Sequence, residues 1–151
     1  MKKIIFIFIA LFMLNNCGYT PIYSSINNNF YIEISQKDRS KLNSKIVNNI
    51  KKFSNQNSEN IIQLEISSNK KINIISKDKK GDPSRFSMII SLTINILNKN
   101  NYEINKTKSF TEKFDYNNNS NKFALKQYEK DFEDNLINKI IERSILYLSE
   151  L

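Results

Sequence analysis

From Phe86 to Ile96, the apolar residues Phe86, Met88, Ile90, Leu92, Ile94 and Ile96 alternate with Ser87, Ser91, Thr93 and Asn95. A two-residue period puts all six apolar side chains on one face of a strand, so the chain must build a sheet with one buried and one wetted face. The flanking sequence extends that sheet. Ile62, Leu64, Ile66, Ile72 and Ile74 share one parity, broken only at Ser68 and Lys70. This predicts a single long strand with a bulge near Ser68–Lys71. Between the two strands, Lys77-Asp78-Lys79-Lys80-Gly81-Asp82-Pro83 is a turn by every local signal. Asn98 to Asn101 predicts a tight hairpin connection into a fourth strand over Tyr102–Phe114. After the loop Asn27-Asn28-Asn29, the alternation of Phe30, Ile32 and Ile34 with Tyr31, Glu33 and Ser35 predicts a strand that precedes all of these.

Two segments change period. Leu42, Ile46, Val47, Ile50 and Phe53 lie on one stripe at helical spacing, with Asp38 as the expected N-cap and Ser54 to Ser58 as the stop. A second helix is expected from Phe123 to about Ser149. Its main stripe is Leu125, Tyr128, Phe132, Leu136 and Ile140, with a neighbouring lobe of Ile137, Ile141, Ile145 and Leu148. That arc is wider than one sheet contact needs, so part of it is expected against the first helix or a partner. The order β-α-β-β-β-α predicts an α+β fold, a two-layer sandwich with a four-stranded, mostly antiparallel sheet and both helices on one face. The other face would carry Gln63, Glu65, Ser87, Ser91, Thr93 and Asn95. In the fourth strand, Lys106 and Lys108 share parity with Tyr102, Ile104, Phe110 and Phe114, as in strands whose inward charges protect a sheet edge; a ligand-binding role is the competing reading.

The chain of 151 residues fits one domain, and Gly and Pro number only two each, leaving turns to Asn, Asp, Ser and Lys. It contains one Cys and no His. No intramolecular disulfide or Cys/His metal site is available, and the commonest general base is missing. No nucleophile–base pair, Rossmann or P-loop glycine pattern or internal repeat emerges, so neither an enzyme nor a cofactor is expected. The net charge of +8 favours anionic partners. The lysines are scattered rather than gathered on one aromatic-lined face, which argues against nucleic acid as the partner.

The N-terminus states more. Met1-Lys2-Lys3 is a basic start, and Ile4 to Leu14 is an unbroken apolar run of 11 residues. A spanning helix needs roughly 20, so the run has the length of a signal-peptide core and predicts a leader over residues 1–16. Leu14-Asn15-Asn16-Cys17 resembles a lipobox, in which the cysteine is lipidated and becomes the first mature residue; Asn16 departs from the small residue usual before that cysteine. An uncleaved anchor or an incidental cysteine is the alternative. Residues 17–29 would form a lipidated, extended segment and residues 30–151 the folded domain. Two acyl chains give stable anchoring where one does not. Gly18, rather than Asp, after the cysteine resembles the pattern for delivery to the outer membrane.

Four stretches together resemble the lipopolysaccharide-assembly lipoprotein family of Gram-negative bacteria. They are Cys17-Gly18-Tyr19-Thr20-Pro21-Ile22-Tyr23, the strand–helix–long strand order, the turn Lys80-Gly81-Asp82-Pro83-Ser84-Arg85-Phe86, and Phe110 through Phe123-Ala124-Leu125 into a charged C-terminal helix. The resemblance spans nearly all of the mature chain and rests on pattern rather than on an invariant motif. It implies a non-enzymatic outer-membrane lipoprotein that plugs a large β-barrel, assists its assembly, and contacts lipopolysaccharide on its way to the outer leaflet. Lys77, Lys79, Lys80 and Arg85 are the candidate lipopolysaccharide-binding cations, because phosphates reward clustered charge and Arg binds them bidentately; the bland alternative is four solvated loop cations. The competing function is a periplasm-facing lipoprotein of the same fold with an unrelated protein partner.

Overall fold

The computed structural model describes residues 30–35 and 38–151. The leader, Cys17 and the extended segment predicted before residue 30 lie outside the described residues. The elements follow the expected order: β1 (Tyr31–Ser35), α1 (Lys41–Lys51), β2 (Ile61–Lys77), β3 (Pro83–Leu97), β4 (Ile104–Asn117) and α2 (Lys122–Ser149). The sheet order is β1-β2-β3-β4. β1 runs parallel to β2, with α1 as the crossover, and β2, β3 and β4 form an antiparallel meander. The α+β two-layer architecture is as the sequence predicts.

The core forms where the alternating faces meet the helical stripes. Leu64, Ile66, Ile90, Leu92 and Ile94 from the sheet are fully enclosed with Ile46, Val47 and Ile50 of α1 and Ile140 and Ile145 of α2. At roughly 1.5–3 kcal/mol for each large side chain taken out of water, this cluster supplies the main driving force. The wide arc of α2 is explained within the chain. Its second half buries Ile137, Ile141, Ile145 and Leu148, and the Lys45–Asp134 ion pair ties it to α1.

Four details differ from the sequence reading. The α1 N-cap is Ser40, whose Oγ accepts from Asn43 N at 3.2 Å; Asp38 supports it by accepting from Ser40 N at 2.8 Å. Residues Ser68–Lys71 pair regularly with Leu92–Ile89, and the bulge falls between Ile74 and Ser76. Lys70 is tolerated on the helix-covered side because its ammonium reaches Glu133 of α2 at 2.7 Å, so no change of register is needed. Tyr102 lies in the turn before β4, in the left-handed region at φ 56°. A register shift between Ile96 and Leu97 then sets Ile104 opposite Leu97, off the face that carries Lys106.

Among the described residues the second face of the sheet carries no helix and is tiled with polar pairs across the strands. Ser91 and Thr111 hydroxyls are 3.1 Å apart, as are those of Thr93 and Ser109. Thr107 donates to Asn95 at 2.8 Å, Asn95 donates to Glu65 at 3.2 Å, and Gln63 donates to Glu33 at 3.0 Å. These pairs add modestly to sheet stability and keep the face wettable.

A cationic hairpin tip as the candidate functional site

The β2–β3 turn is built by Asp78. Its Oδ1 accepts from the backbone N–H groups of Lys80 (2.8 Å) and Asp82 (2.9 Å), and its own N–H donates to the Asp82 carbonyl at 2.8 Å. Gly81 completes the turn at φ +88°, a conformation that a side chain would strain. Below the turn, the Ser76 and Ser84 hydroxyls meet at 2.7 Å. The β4–α2 loop braces the hairpin from the side, where Asn118 donates through Nδ2 to Pro83 O at 2.7 Å and through N to Ser84 O at 2.9 Å. A braced turn presents its side chains from a fixed base.

Lys77, Lys79 and Lys80 are exposed at this tip. The neighbouring Asp78 carboxylate is occupied by backbone amides and does not pair with them. Arg85 stands apart from the three lysines. It lies one rung below the tip, opposite Ser76 and Asn117, on the open polar face. There it neighbours Asp115, whose carboxyl is held below its ordinary range chiefly by the Ser87 hydroxyl facing it, with smaller contributions from Lys113 (3.3 Å) and Arg85 working against burial. The structure therefore assembles three of the four predicted cations at the tip and sets the fourth beside them around a corner.

Sequence reasoning missed two further cations. Lys71 and Lys113 flank Ile89 on a single rung of the open face, next to the Asn73–Ser87–Asp115 rung. Only the register across three strands reveals that grouping. Lys106 and Lys108 belong elsewhere, with ammoniums 5.4 and 5.6 Å from the Tyr147 ring centre on the helix-covered side of the edge strand β4. This is a cation–π contact at a protected edge. On the same side, nearer the tip, Tyr116 donates to Glu129 at 2.7 Å; burial, then that bond, raises its hydroxyl above the usual tyrosine range. Among the described residues no group of three His, Cys, Asp or Glu is placed to hold a metal, and no helix is long and apolar enough to cross a membrane.

Solved structures of similar shape include bacterial lipoproteins. A minor lipoprotein from Acinetobacter baumannii superposes with a TM-score of 0.61 at 8% identity, over 82% of this chain and 92% of that one. Lipoprotein B from Nitrosomonas europaea gives 0.57 at 12% identity, over 80% and 85% of the two chains. Rare lipoprotein B from Shewanella oneidensis gives 0.54 at 12% identity, over 78% and 95%. The chain shares their fold. No protein-family model and no curated protein sequence matches it.

Proposed function

We propose that the protein is a non-catalytic outer-membrane lipoprotein, tethered through Cys17, that plugs the lipopolysaccharide translocon barrel, assists its assembly and offers its basic hairpin tip to lipopolysaccharide phosphates. The observation that carries this reading is the distance of the tip from Phe30, the first described residue on the Cys17 side. The Phe30 carbonyl accepts from Asn55 N, and Tyr31 pairs with Ile61 at the start of β2. Lys77 lies 16 residues further along β2, roughly 50 Å away at about 3.3 Å per residue. The hydrocarbon core of a bilayer is about 30 Å thick. A domain enclosed by a barrel with its Phe30 end at one leaflet would thus reach the opposite leaflet with its cationic end.

Two other features support the reading. The open face is hydroxyl- and amide-lined, suited to the wet lumen of a wide barrel. The tip lysines are compact charges that outnumber Asp78 and Asp82 in the same turn and form no ion pair among the described residues, suited to anionic headgroups. The shared fold with bacterial lipoproteins supports the Cys17 tether.

The test is purification of the tagged full-length protein from detergent-solubilised outer membranes, with mass spectrometry of its partners and of its N-terminal peptide. A large β-barrel partner together with a lipidated Cys17 is the expected result. Lipidated Cys17 without a barrel would transfer the reading to a periplasm-facing lipoprotein with another partner, and an unmodified N-terminus would overturn the tether itself.

A further inference from the structure

β1 covers only the first five residues of β2, Ile61 to Glu65. Immediately beyond, the Asn43 side chain of α1 takes over from the missing strand and donates to the Ile66 carbonyl at 3.2 Å. In an antiparallel ladder alternate residues turn both N–H and C=O away from the partner strand. Since the Ile66 carbonyl points away from β3, the same parity makes Ser68, Lys70, Ile72 and Ile74 present theirs outward. No other strand among the described residues pairs with that edge.

Natural sheets blunt a bare edge with charge or a bulge, and Lys70, Lys71 and the irregularity after Ile74 partly do so here. The remainder is uncovered by any strand among the described residues. Ile72 is 42% exposed, Ile74 52% and Ile75 44%, and Ile72 and Ile74 stand on the helix side next to Met88 and Phe86. An outward row of backbone donors and acceptors beside exposed isoleucines is what strand addition uses, with main-chain bonds giving affinity and alternate side chains giving selectivity.

Charge decides the occupant. From Ser67 to Lys77 the edge carries Lys70, Lys71 and Lys77 and no acidic residue. Lys70 is already paired with Glu133, so a second copy would set Lys71 and Lys77 against their counterparts, which like-charge repulsion disfavours. We infer that the Ser68–Ile74 edge of β2 receives an extended segment of another protein in which apolar and acidic residues alternate. Its apolar side chains lie beside Ile72 and Ile74, and its carboxylates lie on the open face beside Lys71, whose ammonium has no ion-pair partner among the described residues. This site is distinct from the hairpin tip and does not depend on the identity of the barrel partner.

The probe is a seven-residue peptide of alternating valine and glutamate, whose charge keeps it monomeric at neutral pH, added to the full-length protein in detergent. Amide hydrogen exchange by NMR should slow at least tenfold at Ser68, Lys70, Ile72 and Ile74. Neither a peptide of the same composition with its valines and glutamates in separate blocks nor one N-methylated at alternate residues should do this. The double variant Ile72→Lys, Ile74→Lys, at two exposed positions, should keep the parent circular dichroism and lose the protection. Unchanged exchange with the alternating peptide would overturn the inference. So would equal protection by either control peptide, or slowing that depends on protein concentration without any peptide, which would assign the edge to a second copy.

Discussion

The two halves of β2 are one strand in two different environments. In the root half, Ile62, Leu64 and Ile66 face α1, pair with β1 or its Asn43 substitute, and are buried. In the tip half the same parity continues through Ile72 and Ile74, yet both are exposed and, among the described residues, only β3 pairs alongside. The period is identical, so hydrophobic patterning alone does not make a core. A second layer does, and over β2 it ends with α1, while α2 goes on to cover Met88 and Tyr116 of the neighbouring strands. The root holds the domain together, and the tip is the part left to meet something else.

This division sets the order of expected effects. Leu64→Ala or Ile66→Ala should cost about 2–5 kcal/mol in denaturant unfolding, as for buried aliphatic residues elsewhere. Ile74→Ala, the same deletion on the same strand, should cost under about 1 kcal/mol. Equal losses at the two ends would erase the distinction. Asn43→Ala removes the donor that closes the edge at Ile66 and leaves a buried carbonyl unpaired, with an expected loss of about 1–3 kcal/mol in the same measurement. Asn121→Ala, which removes the cap accepting from Phe123 N and Ala124 N, should cost about 1 kcal/mol.

The tip variants should leave stability almost untouched. Replacing Lys77, Lys79, Lys80 and Arg85 by Gln is expected to weaken lipopolysaccharide binding at low salt without shifting the unfolding midpoint. Unaltered affinity would remove the tip from the proposed function. The smallest effect is expected at Asp115. Its folded-state carboxyl titrates below its unfolded value, so its contribution is present above the unfolded pKa and fades as pH falls through the folded one. Asp115→Asn should therefore give a slight loss at neutral pH that disappears as pH falls through the folded pKa, flattening the acid limb of the stability profile.

Much of this plan is readable from spacing. The alternation at Phe86–Ile96 and the stripes of both helices are local periodicities, and they specify the element order and both faces of the sheet. The misreadings share a different origin. Asp38 and Ser40 are equally good caps by type, and only the chain's path selects Ser40. The gap at Ser68 and Lys70 suggests a bulge until Glu133, more than sixty residues away, supplies the partner that lets Lys70 remain in register. The candidate site divides in the same way. The tip lysines adjoin in sequence and are readable as a cluster, whereas the Lys71–Ile89–Lys113 rung and the edge closed by Asn43 exist only through pairing between distant segments.

The most direct measurement of the tip's role is site-specific photo-crosslinking in intact cells. A photoreactive residue at position 79 is compared with one at position 52, on the exposed end of α1. The account predicts lipopolysaccharide adducts from position 79 and none from position 52. Adducts from position 52 alone, or from neither position while the protein is fully lipidated and in complex with its barrel, would contradict it.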